Sequence, residues 1–332
     1  MSGVMRAMWA AADRLLKTLP DEARYFAGHL ESTGKSLNKS ADIFEAAEWK
    51  QLVADGKFKE RTQARLADGA DENRPHWLLS EGDNAVVFTV HYKKHNLPQS
   101  GGLLKEFNKW LARTEGKDRV VRHEGRRPPE ATNVKEAFRS ERGEIAALIH
   151  IADKKGVEST PTEEDEGFQF SELLKNHRPE HVLGYYVLRQ MPQGLAAKRN
   201  DPSFDMAAYL DQTLDRFAPY LPEGLDARQT FNDLMAREYA HTGFAGVFRI
   251  EDEGWLMRET NDPGVTGKAE TPVQKVALEC NERRDAHFVK EFQRDVDAGK
   301  AVFGQFGVIH VSGIAPNIDA LANGSMKAVY KP

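Results

Sequence analysis

Apolar positions along the chain fall into three regimes. In residues 1–19, Val4, Met8, Ala11, Leu15 and Leu16 recur at spacings of three and four, with Arg6, Asp13, Arg14 and Lys17 between them. That spacing predicts an amphipathic helix. The rest of residues 1–75 is polar and helix-favouring, and Pro20, Gly28, Gly34, Gly56 and Gly69 divide it into short helices. From Trp77 to about Pro161, short apolar runs alternate with helical periods. Residues 85–90 and 119–122 read as strands, residues 103–113 and 140–155 as helices, and residues 157–160 as another strand. Gly156 stands where the second helix should stop.

Beyond this stretch the pattern turns mostly helical over residues 167–245, with Pro179, Pro192, Pro202, Pro219 and Pro222 expected at the joints. Residues 244–261 read as a hairpin turning at 251–254. A helix over 278–298 then leads into a strand at 301–306 and the run Gly307-Val-Ile-His310. Strands alternating with helices predict an α/β fold with a mainly parallel sheet flanked by helices. The expected organisation is a helical N-terminal extension at 1–75 and an α/β domain at 76–332, with a mostly helical insertion at about 195–270.

Composition narrows the function classes. The 332 residues carry 46 basic and 51 acidic side chains, a mild acidity that argues against a nucleic-acid partner. The single cysteine, Cys280, excludes an internal disulfide and any cysteine-built metal cluster. No apolar run reaches the roughly 18 residues of a membrane span. Asp13 and Arg14 interrupt the N-terminal apolar positions in a way a secretory signal does not tolerate. The expectation is therefore a cytoplasmic protein. Charge is uneven: residues 91–142 hold 13 basic and 7 acidic side chains, residues 143–180 hold 4 and 9. Such a basic shelf suits an anionic substrate group, although solvated helix faces explain it equally well.

Several motifs fail on inspection. Gly34-Lys35-Ser36 lacks the glycine a phosphate loop needs five residues earlier, where His29 stands. His91/His95 and His177/His181 have helical i, i+4 spacing, but the first begins at a strand end and the second encloses Pro179. His91 alone is the better candidate, because strand C-termini line the crevice of an open α/β sheet. Glu124 precedes a glycine at another strand end. Glu144 shares the core-facing stripe of its helix and needs a partner there. Asp165 lies in a run of four acidic residues read as a solvated loop, and Glu282 and Asp285 are read as the start of the 278–298 helix.

In order, these pieces are a strand to His91, a strand to Glu124-Gly125, Arg142-Gly-Glu144 opening a helix, Asn281-Glu-Arg-Arg-Asp285, and Gly307-Val-Ile-His310-Val-Ser-Gly-Ile314. That order resembles the TraB/Tiki group of the α/β superfamily that includes erythromycin-esterase-like and haem-uptake ChaN-like proteins. The second Gly-x-x-His of the group is present at Gly307 to His310, whereas Phe88 replaces the first glycine before His91. The resemblance implies a divalent-metal-dependent hydrolase of an amide or ester bond in a small-molecule or peptide substrate. His91, His310 and Glu124 would hold Mn, Co or Zn, and Glu144 would take a proton from water; the two glutamates can exchange roles. Arg283 or Arg284 would stabilise the oxyanion, with Asp285 beside them. The alternative, favoured by Phe88, is a non-catalytic haem-, peptide- or signal-binding protein on the same scaffold.

Overall fold

The computed structural model describes residues 43–44, 77–89, 98–140, 142–321 and 324–328. Most of the expected N-terminal helices, the Gly34-Lys35-Ser36 run, His91 and His95 lie outside the described residues. The chain divides into two compact units: one of residues up to 163 and from 287 onward, the other of residues 164–286. The second is wider on both sides than the expected 195–270 insertion.

Among the described residues, the first unit is built on a seven-stranded mixed sheet. Its strands are β1 (Ile43–Phe44), β2 (Trp77–Glu81), β3 (Asn84–Thr89), β4 (Arg119–His123), β5 (Glu158–Pro161), β6 (Ala301–Gly307) and β7 (Ser325–Ala328). They lie in the order β1-β7-β2-β3-β6-β4-β5. The four strands from β3 to β5 run parallel, and β1, β7 and β2 add antiparallel pairings at one side. The fold is α/β, as the alternation of strand and helix patterns implies. Three strands escape the pattern, β7 among them. β1 falls inside the stretch expected to be helical. β2 escapes because Trp77, Leu78 and Leu79 are all buried, which leaves no alternation to read. β2 and β3 are joined by a two-residue turn at Gly82-Asp83, where Gly82 takes φ +55°.

Helices α1 (Pro98–Arg113), α2 (Val134–Arg139) and α3 (Gly143–Lys154) cover one sheet face. Strand alternation aims Val87, Val121 and Phe303 at them, into a core with Leu103, Phe107, Trp110 and Leu148. The Trp110 indole N–H donates to the Asp83 carbonyl at 2.8 Å and ties α1 to the hairpin turn. The helix expected over 140–155 is α3; α2 precedes it unforeseen, with Asn133 capping it through the Glu136 N–H. Gly156, at φ +64°, follows α3 as expected.

The opposite face belongs to the last turns of α10 (Pro272–Asp297), whose residues from His287 fall in this unit. Phe288 stacks on Phe306 with centroids 4.7 Å apart. Gly304 permits that packing, since a Cβ there would stand 2.9 Å from the Phe306 ring and 3.3 Å from Phe292. Arg122, on the same face, is buried against Asp295 at 2.6 Å and Glu291 at 3.3 Å.

The second unit is helical: α4 (Glu166–Leu173), α5 (Pro179–Asn200), α6 (Met206–Phe217), α7 (Ala227–Glu238), α8 (Glu253–Thr260), α9 (Asp262–Thr266) and the first part of α10. Phe170, Tyr185, Tyr186, Phe217 and Phe231 fill its core, together with Cys280. Three expectations change here. Pro192 is inside α5 and not at a joint; residues 182–188 are all buried, so packing holds a helix that proline disfavours. The hairpin over 244–261 is not formed. Phe244, Phe248 and Trp255 instead pack on one another and on the helical core, and Asp252 accepts the Arg249 N–H to start a helical turn. α10 begins at Pro272, so Glu282 and Asp285 stand well inside it and not at its start.

Candidate functional site

The C-terminal ends of β3, β4, β5 and β6 open on one side of the sheet, because these strands are parallel. Polar side chains gather there among otherwise apolar strands. Thr89, His123, Gln305 and His310 are fully buried, and Glu144 is nearly so.

Glu124 is set by the backbone on either side of it. Its N–H donates to the Gln305 carbonyl at 3.0 Å, extending the β4–β6 pairing by one residue. Gly125 then turns the chain at φ +75°. The Arg142 guanidinium lies against Gly125 so closely that a Cβ would fall 2.4 Å from Nη1. Glu124 Oε2 accepts the Gly307 N–H at 2.6 Å, and Oε1 lies 3.5 Å from His310 Nε2. His310 does not end the strand, as the apolar run suggests. β6 stops at Gly307, and His310 closes a 3-10 turn over Val308–His310. That turn carries its imidazole back toward Glu124, and the Phe288 ring meets it edge-on at 5.3 Å.

Glu144 occupies the first turn of α3, where the helix dipole favours a carboxylate. Its partners include a chain of neutral donors. Gln305 Nε2 donates to Thr89 Oγ1 at 2.6 Å, and the Thr89 hydroxyl donates to Glu144 Oε1 at 2.8 Å. Gln305 Nε2 is also 3.5 Å from the same carboxylate oxygen. These contacts join three adjacent elements, β3, β6 and α3.

His123 completes the row. Its Nδ1 is 3.4 Å from the Glu124 carbonyl oxygen, which can only accept, so Nδ1 carries the proton. Burial pushes the imidazole pKa down to about 4, and the charges of Arg127, Arg142 and Arg122 push the same way against the Glu124 carbonyl. The ring is neutral at physiological pH.

Of the residues singled out from sequence, the structure therefore brings Glu124 and His310 into contact and places Glu144 on the same strand ends through Thr89 and Gln305. His91 lies outside the described residues. Arg283, Arg284 and Asp285 belong to the helical unit. There Arg283 is engaged by Glu172 at 2.5 Å and Glu279 at 3.7 Å, and Arg284 is buried near Tyr185. His177 and His181 go to different carboxylates, Glu279 and Glu238, so they do not act as a pair. Asp165 caps α4 by accepting the Phe168 N–H. Sequence reading missed Thr89, His123, Gln305 and Arg142. The available signal was Gln305, a polar residue inside the apolar strand Ala-Val-Phe-Gly-Gln-Phe-Gly.

Among the described residues, no group of three His, Cys, Asp or Glu side chains is arranged to hold a metal ion. None of their helices is long and apolar enough to cross a membrane. No model of a known protein family matches the chain, and no curated protein or solved structure does either.

Proposed function

We propose that the sheet unit is a hydrolase of an amide or ester bond, with Glu124 and His310 as its acid–base pair. The observation that carries this reading is the 3.5 Å approach of Glu124 Oε1 to His310 Nε2 at the strand C-termini. The Gly307 N–H holds the other carboxylate oxygen in place. A carboxylate beside an imidazole stabilises the charged ring, so the pair can hold the proton of an attacking water and return it to the leaving nitrogen or oxygen. The C–N or C–O bond breaks, the acyl carbon gains the water oxygen, and no oxidant or reductant is needed. Glu144, fixed by Thr89 and Gln305, supplies a second negative charge at the same strand ends.

Glu124 and His310 are two donors of the kind a divalent metal takes, and His91 is the third that the resemblance implies. Two donors do not by themselves complete a metal site. Metal analysis of protein purified without chelator tests that part directly.

The catalytic reading is tested with a panel of chromogenic esters and fluorogenic peptide amides, with and without added Mn, Co or Zn. Glu124→Gln and His310→Ala should each lower kcat/KM about 10²-fold or more at unchanged far-UV circular dichroism. Absence of turnover across the panel, or full activity in both variants, would exclude the proposal.

A further inference from the structure

His123 and Gln305 are direct partners across β4 and β6, so their side chains emerge on the same sheet face. Both are fully buried. With its proton on Nδ1, His123 presents a lone pair at Nε2, and that atom has no hydrogen-bond partner among the described residues. The Gln305 amide is oriented by its donation to Thr89, whose hydroxyl is committed to Glu144; its Oε1 is therefore left to accept. That oxygen also has no hydrogen-bond partner among the described residues. Thr162 Oγ1, just beyond β5, is a third buried polar atom in the same condition, and the Thr162 N–H binds the His123 carbonyl. Buried acceptors left unmatched are rare in folded proteins and ask for an explanation.

We infer that His123 Nε2 and Gln305 Oε1 form an acceptor subsite for a primary carboxamide, each taking one N–H of its –NH2 group. The inference rests on the hydrolase reading and narrows it, because an ester has no hydrogen to offer either atom. Charges of both signs surround the two atoms, Glu144 near Gln305 and Arg122, Arg127 and Arg142 around His123, which favours a neutral donor over an ammonium group. An anion would meet two acceptor lone pairs. With Nδ1 given to the Glu124 carbonyl, Nε2 is left as an acceptor, which makes His123 a positioning residue and not the base.

The test uses the full chain, labelled with 15N histidine, and reads the imidazole nitrogens while acetamide, methyl acetate or N,N-dimethylacetamide is added. The His123 signals are assigned by their loss in His123→Gln. Acetamide should shift His123 Nε2 saturably in the direction of an accepted hydrogen bond. The two probes without an N–H should act at least about tenfold more weakly. Gln305→Met, close in shape but without the carbonyl, should weaken acetamide about tenfold or more while the remaining histidine signals stay in place. An equal response to all three probes, or no saturable response to acetamide, overturns the subsite. A saturable acetamide response without turnover upholds the subsite and removes the catalytic reading. Ester hydrolysis with no response at His123 does the reverse.

Discussion

His123 ties the stability of the sheet unit to pH. Its imidazole pKa is about 4 in the folded protein against 6.5 for the free side chain, because burial and three arginines disfavour its charged form. A depressed histidine means that the unfolded chain binds the proton first. Stability is therefore at its full value above pH 6.5, falls as pH drops below that, and stops falling near pH 4. The difference of about 2.5 pKa units corresponds to roughly 3 kcal/mol in total, of which about 2 kcal/mol is lost by pH 5. Urea unfolding at pH 7 and pH 5, followed by far-UV circular dichroism, measures that loss. Other groups titrate over the same interval, so the informative quantity is the difference between the wild type and His123→Gln, which cannot take up the proton. The variant should lose about 2 kcal/mol less between the two pH values. Equal losses in both proteins, or a His123 signal that titrates near 6.5, would refute the argument from burial and charge.

Two further outcomes follow from packing. Arg122 keeps 4% of its side chain exposed and is ion-paired with Asp295, so Asp295→Asn should cost about 2–4 kcal/mol even with Glu291 still in contact. The Arg127–Asp153 pair, with side chains 43% and 39% exposed, is the control, and Asp153→Asn should cost less than about 1 kcal/mol; thermal melts of the two variants compare them. Gly125→Ala meets both a positive φ and the Arg142 guanidinium, so it should destabilise by about 1–3 kcal/mol. Because it displaces Glu124, it should also lower turnover more than its melting temperature alone explains, which parallel activity and melting measurements would show.

The parallel strands and their helices were legible because fully buried strands read as apolar runs and helices as stripes of period 3.6. Residues 85–90, 119–122 and 301–306 each match an observed strand to within a residue or two. Glu124 and Glu144 were legible as carboxylates at strand and helix ends, positions that a parallel sheet turns toward one side. That Glu124 and His310 meet was expected only through the resemblance and not from any pattern, since the contact depends on a 3-10 turn after β6 and on the turn at Gly125 after β4. Neither leaves a periodic trace. β2 and the helical turns at 250–260 were misread for a related reason: an apolar run shows that a segment is buried but not what it is buried against. The Gln305–Thr89–Glu144 chain links residues from β6, β3 and α3 that no local pattern relates. Sequence periodicity determined the four parallel strands and the helices α1 and α3 of the sheet unit. Only the tertiary structure decided which polar side chains meet at the strand ends, because strand order and register are set by pairing between distant segments.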